Sequence, residues 1–127
     1  MPFSYAIHKR IRLVIFTATE RITFDDVHEF RKQLTNDPDF RPDYDLLNDL
    51  RGVTAFDISA EEATIIAQKS VFSATSRRVT VATRPSVFGM NRLIQIHRQT
   101  AKRQETIGVF YTLDQALVFL GLPSLPK

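Results

Sequence analysis

The sequence predicts one α/β domain with the element order ββαβαβαβα. It is built on a mainly parallel five-stranded sheet with an antiparallel N-terminal strand, and its helices lie mostly on one face. Three observations carry this. After an initial strand pair, segments of strand character alternate with segments of helical spacing, as βαβ crossovers require. Ser/Thr-led caps mark helix starts at Thr23, Ser59 and Thr112. With 127 residues, 43% hydrophobic and 24% charged, and no Gly-, Ser- or Pro-rich linker, the chain suits a single core. One domain is expected over residues 1–127, with its core at about 3–122. A domain of this size buries roughly two-thirds of the surface its unfolded chain exposes, so it needs no covalent staples.

Phe3–Ile7 and Ile11–Thr17 are rich in aromatic and β-branched residues, and the polar joint His8-Lys9-Arg10 makes them a hairpin. Thr23-Phe-Asp-Asp26 has the form of a capping box, in which the hydroxyl takes an orphan N–H and the acid reaches back to the cap. In the helix behind it Val27, Phe30 and Leu34 share one stripe. Asn36-Asp37-Pro38 stops that helix, because the residue before a proline disfavours the α region. Tyr44–Leu50 reads as a strand ending in an Arg51-Gly52 turn. Ser59-Ala-Glu-Glu62 opens the next helix, with Ala63, Ile66, Ala67 and Val71 at helical spacing.

Arg78–Thr83 is a further strand, and Pro85 suits a first helical turn, where a missing N–H costs nothing. The helix it opens runs to about Lys102. Thr106–Tyr111 is the last strand, and Thr112-Leu-Asp-Gln115 caps a short helix stopped by Gly121 and Pro123. Val79 and Val81 alternate with Arg78 and Thr80, and Leu46 and Leu50 with Asp45 and Asp49. Strands covered on both faces read as continuous apolar runs, so one sheet face is expected to be partly polar and either solvated or turned to a partner.

The absence of cysteine excludes disulfides, thiolate metal sites and a Cys nucleophile, and fits a reducing compartment. The longest apolar runs, Leu13–Phe16 and Ala116–Leu122, are too short to span a bilayer, and a cytoplasmic setting is expected. The net charge of +3 is unevenly spread. Residues 1–36 hold six basic and four acidic groups, residues 37–65 two and eight, and residues 66–127 nine and two. Such bipolarity favours head-to-tail or self-complementary association over nucleic-acid binding.

Four isolated glycines, Gly52, Gly89, Gly108 and Gly121, give no phosphate loop, dinucleotide fingerprint or nucleophile elbow. His8, His28 and His97 sit in different elements without metal-ligand spacing. His97 shares a stripe with Val87, Met90, Ile94 and Ala101, and reads as a packed side chain. The acidic segment lacks the glycine and terminal Glu of an EF-hand loop. Asp37, Asp39 and Asp43 solvate a loop, and Glu61 and Glu62 complement a helix N-terminus. No catalytic residue, metal or cofactor is expected.

Asp49 and Asp57 flank the passage from a strand end to a helix, where open α/β sheets tend to dock ligands and partners. Arg77, Arg78, Arg84, Arg92, Arg98, Lys102 and Arg103 have no interleaved aromatics and no recognition helix, and read as solvated helix faces. On the helix after Pro85, Phe88, Leu93 and Ile96 widen the apolar arc beyond the Val87 stripe. That surplus suits a lid over a pocket, a contact with another chain, or a broad face buried within the monomer.

The segment Leu46-Leu-Asn-Asp49-Leu-Arg-Gly-Val-Thr-Ala-Phe-Asp57-Ile-Ser59-Ala resembles the phosphorylation loop of STAS, or anti-sigma-factor-antagonist, domains. The whole chain from about Phe3 to Leu122 resembles the SpoIIAA-like branch also labelled STAS/SEC14. The likeness includes Val87-Phe88-Gly89-Met90-Asn91-Arg92 and Val109-Phe110-Tyr-Thr-Leu-Asp-Gln-Ala-Leu. The resemblance implies the same fold, and a switch in which a kinase phosphorylates a Ser at the start of the second helix. In this sequence the position after Asp57 is Ile58, and Ser59 follows it. Ser59 is therefore either a shifted acceptor or simply an N-cap.

The leading expectation is a non-catalytic, STAS-like regulatory or protein-interaction module, phospho-regulated or not, that self-associates as a homodimer or meets another regulatory protein. Its contact loop would hold Asp49, Arg51, Asp57 and Ser59. The alternative is a SEC14-type binder or sensor of a small apolar or anionic, lipid-like ligand. That ligand would sit beneath the helix of Phe88, Arg92 and Ile96, with Arg92 or Arg84 meeting the anion.

Overall fold

Alternate side chains of the strands divide between two separate cores. The computed structural model describes residues 3–101 and 105–126. The order is β1 (Phe3–His8), a 3-10 turn (Lys9–Ile11), β2 (Leu13–Thr23), α1 (Phe24–Thr35), β3 (Asp45–Asp57), α2 (Ala60–Gln68), β4 (Arg77–Val81), α3 (Pro85–Ala101), β5 (Thr106–Phe110) and α4 (Leu113–Leu120). The sheet runs β1-β2-β3-β4-β5, with β1 antiparallel at the edge and the other pairs parallel. This is the predicted α/β architecture, a single domain with a five-stranded mixed sheet and four helices.

The strand order explains the layers. Successive parallel strands advance in one direction, and right-handed crossovers then put every connecting helix on the same face. Val14, Phe16, Leu46 and Leu50 accordingly share one core with Phe30 and Leu34 of α1, Ala63 and Ile66 of α2, and Val87 of α3. The C-terminal α4 makes no crossover and takes the other face, where Ala116 and Leu120 pack on Leu13, Leu47, Val79 and Val81. Gly108 permits this approach: a Cβ there would lie 2.8 Å from the Phe110 ring and 3.0 Å from that of Phe119.

The caps work as their sequences require. Thr23 and Ser59 form reciprocal capping boxes with Asp26 and Glu62, and the Thr112 hydroxyl accepts from the Gln115 N–H at 3.2 Å. Gly121 ends α4 at φ 71°, the left-handed region that glycine enters without steric cost.

Three expectations need correction. Arg51-Gly52 is no turn, because β2 also runs on to Thr23 and pairs Gly52–Asp57 with Thr19–Thr23 across two register shifts. The long-range ladder overrides the local turn signal. Val71 falls beyond the end of α2 and packs onto the core from the following segment. Third, Arg78 and Thr80 do not mark a solvated sheet face: both are buried, on the side covered by the three crossover helices. Lys102 and Arg103 lie outside the described residues.

Candidate functional site

The inner face of β3 and β4 carries a polar strip at the centre of the sheet. Leu46 pairs with Arg78 and Asn48 with Thr80 in the parallel register, and the Asn48 amide donates to the Thr80 hydroxyl at 3.3 Å. Above this strip is a cavity of about 160 Å³ between the sheet and α1, α2 and α3. Phe16, Phe30, Phe56, Ile66, Ile94 and Ile107 supply apolar wall, and Arg31, Arg78 and Arg98 stand among its polar lining. α3 presents Asn91, Ile94, Gln95 and Arg98 to it, a helical stripe slightly rotated from the one through Met90 and His97.

Each arginine arrives by a different element. Arg98 grips Glu105 side-on, with Nε and Nη2 each donating at 2.6 Å, and its Nη1 donates to the Ala67 carbonyl at 2.8 Å. Arg31 Nη2 donates to the Ile66 carbonyl at 3.1 Å. Both therefore satisfy orphan carbonyls in the last turn of α2, whose own last turn holds no basic residue. Arg78 is less well served. Its Nη1 donates to Ser70 Oγ at 3.3 Å, and its Nη2 lies 3.0 Å from Glu105 Oε2 without hydrogen-bond alignment. Arg78 Nε is buried with no partner.

Arg78 and Arg98 thus share one carboxylate, and Arg31 stands nearby without one. Desolvation pushes the Glu105 carboxyl up, but the hydrogen bonds from Arg98 and the positive charges of Arg78 and Arg98 together outweigh it and hold Glu105 below its ordinary range. Burial, reinforced by repulsion from Arg98 and Arg78, lowers Arg31 to about 10, so it stays charged at neutral pH. Burial likewise lowers Arg78, against the attraction of Glu105. A surface groove lined by His28, Arg31, Lys32, Lys69 and Arg98 adjoins the cavity and shares Arg31, Lys69, Ser70 and Arg98 with it.

No protein-family model matches the chain, and no curated protein is detectably similar in sequence. Among solved structures, it is similar to an uncharacterized protein of the DUF3478 family with a SpoIIAA-like fold from Shewanella loihica PV-4. The two are 14% identical over 93% of each chain, with a TM-score of 0.59. The chain has a SpoIIAA-like fold.

Within that fold the residues singled out from sequence fall in two places. Asp49, Arg51 and Asp57 lie along the outer half of β3, on a strand rather than a loop, and Ser59 follows as the N-cap of α2. Arg51 makes a bidentate bond to Asp49, two residues back on the same strand face, with Nε and Nη2 each at 2.8 Å. This bond outweighs desolvation and lowers the Asp49 carboxyl, and it raises Arg51. Asp57 pairs with Arg21 on β2. Ile58, at the acceptor position implied by the STAS resemblance, is a buried core residue, and the exposed Ser59 accepts from the Glu62 N–H at 3.1 Å.

Phe88, Arg92 and Ile96 lie on α3 outside the cavity lining, and Arg84 is exposed just before that helix. Phe88 stacks on Tyr111 with ring centroids 3.9 Å apart, and Arg92 donates to Gln95. Leu93 packs on the core, so much of the wide apolar arc is absorbed within the monomer, while Ile96 is half exposed. The sequence reading passed over Arg31 and treated Arg78 and Arg98 as solvated surface. The signal was present in Asn48, Arg78 and Thr80, polar residues in strands central to the predicted sheet. No helix is long and apolar enough to cross a membrane, and no group of three potential metal ligands occurs among the described residues.

Proposed function

We propose that this SpoIIAA-like domain is a non-catalytic binding or sensing module that holds a small ligand in the cavity beneath α1, α2 and α3. The cavity itself carries this reading. It has room for a small ligand: an engineered apolar cavity of about 150 Å³ accepts benzene, and this one is about 160 Å³ with a polar strip on one wall. Apolar walls with a few convergent polar groups are the usual form of a small-molecule site. Native mass spectrometry of protein purified without detergent tests it. The expected spectrum shows a bound small molecule, or one acquired from a library of compact amphipathic compounds; a bare mass under every addition contradicts the reading.

A second reading rests on the placement of Asp49, Arg51, Asp57 and Ser59 at one end of β3. β3 continues well past Asp49, the last residue it pairs with β4. This end is the surface through which a regulatory partner or a second copy would make contact. Light scattering after gel filtration, repeated on Arg51→Glu, should show an assembly that the substitution dissociates. A monomer in both cases removes self-association.

A further inference from the structure

The cavity can be given a ligand class, an inference that rests on the binding reading above. The three arginines and Glu105 form a cluster with an excess of two positive charges inside a folded domain. Burying charge without a partner is costly, and native proteins relieve it by pairing or by binding a counter-ion. Two of the arginines have structural work, since Arg31 and Arg98 hold the end of α2 and Arg98 also grips Glu105. Arg78 is less fully engaged, with one hydrogen bond to Ser70 and an ion pair with Glu105. Its side chain is 8% exposed and lines the cavity, yet Nε and Nη2 lack hydrogen bonds among the described residues.

We infer that the cavity binds a small carboxylate with a compact apolar body, its headgroup held at Arg78 within the Arg31, Arg78 and Arg98 cluster. The Nε–Nη2 edge of a guanidinium is planar and presents two parallel donors, the geometry that matches the two oxygens of one carboxylate, and at Arg78 Nε has no partner while Nη2 has only its misaligned ion pair with Glu105 among the described residues. The neighbouring Thr80 and Asn48 add polar atoms on the same wall, while Ile66, Ile94 and Ile107 suit the body of the ligand. The volume limits that body to about the size of one phenyl ring. The approach agrees: the adjoining groove has His28, Arg31, Lys32, Lys69 and Arg98 and no acidic lining residue among the described residues, a field that draws anions inward.

Isothermal titration with phenylacetate, its neutral isostere phenylacetamide, and toluene tests this on the full chain. The acid is expected to bind at least tenfold more tightly than the amide, with toluene reporting the cavity alone. Arg78→Met should erase the acid-over-amide preference while leaving toluene binding in place. Arg78→Lys, which keeps the charge without the fork, should fall between. Equal affinity for acid and amide in the wild-type protein overturns the carboxylate assignment and leaves the cavity reading standing. A wild-type protein that binds none of the three overturns both. Benzylphosphonate binding tightly where phenylacetate does not would overturn the carboxylate in favour of a tetrahedral anion.

Discussion

Glu105 is the residue on which the inner cluster balances. It is 6% exposed and supplies the only carboxylate that Arg78 and Arg98 contact among the described residues. Removing one partner of a buried ion pair leaves the other uncompensated and typically costs 3–5 kcal/mol. Glu105→Gln should therefore destabilise the fold by about that amount in urea unfolding, whereas Glu61→Gln at the exposed start of α2 should change it little. The pH dependence follows in sign. Both Glu105 and Asp49 are held below their ordinary ranges in the folded state. Their contribution is therefore complete above the unfolded values near pH 4 and is lost as pH falls through the lower folded values. The urea midpoint should hold between pH 7 and 5 and drop below about pH 4, and Glu105→Gln should flatten part of that drop.

At the scale of elements, Gly108 shows how two layers meet. Adding a methyl group at 2.8 Å from Phe110 and 3.0 Å from Phe119 forces α4 or the rings to move. Overpacking of this kind costs about 1–3 kcal/mol. Gly108→Ala should lower thermal stability accordingly, and phenylacetate binding should survive, because α4 packs on the face opposite the cavity. The elements themselves were largely legible in the sequence. The reciprocal bonds at Thr23 and Ser59, the Pro85 start of α3 and the Gly121 stop are local chemistry, written in adjacent residues. What escaped was non-local. β3 continues through Arg51-Gly52 because β2 is there to pair with it, and no property of those two residues announces that partner. Arg78 looked like a solvated residue because alternation reports which positions share a face, but not which face the helices cover.

At the scale of the whole molecule, folding changes what the charge pattern means. The segment from residue 37 to 65 is strongly acidic in sequence. In the fold Asp39 pairs with Lys9, Asp43 with Arg12, Asp45 with Arg77, Asp49 with Arg51 and Asp57 with Arg21. The apparent acidic patch is thus largely neutralised across the surface, and each of these exposed or half-exposed pairs adds little stability on its own. Of the basic C-terminal half, Arg78 and Arg98 turn inward. The electrostatic asymmetry that survives lies inside the domain, between an apolar chamber and its arginine wall. That is a property of tertiary assembly, contributed by α1, β4 and α3 together, and it moves the functional question from the surface of β3 to the interior.

Methyl NMR during a phenylacetate titration tests the central claim most directly, because it reads where the ligand goes. Saturable shifts are predicted at the methyls of Ile66, Ile94 and Ile107, which line the cavity, with Ile15 and Leu120 of the α4 face unmoved. Shifts confined to the α4 face, or no shift at any of these methyls at saturating phenylacetate, would contradict it.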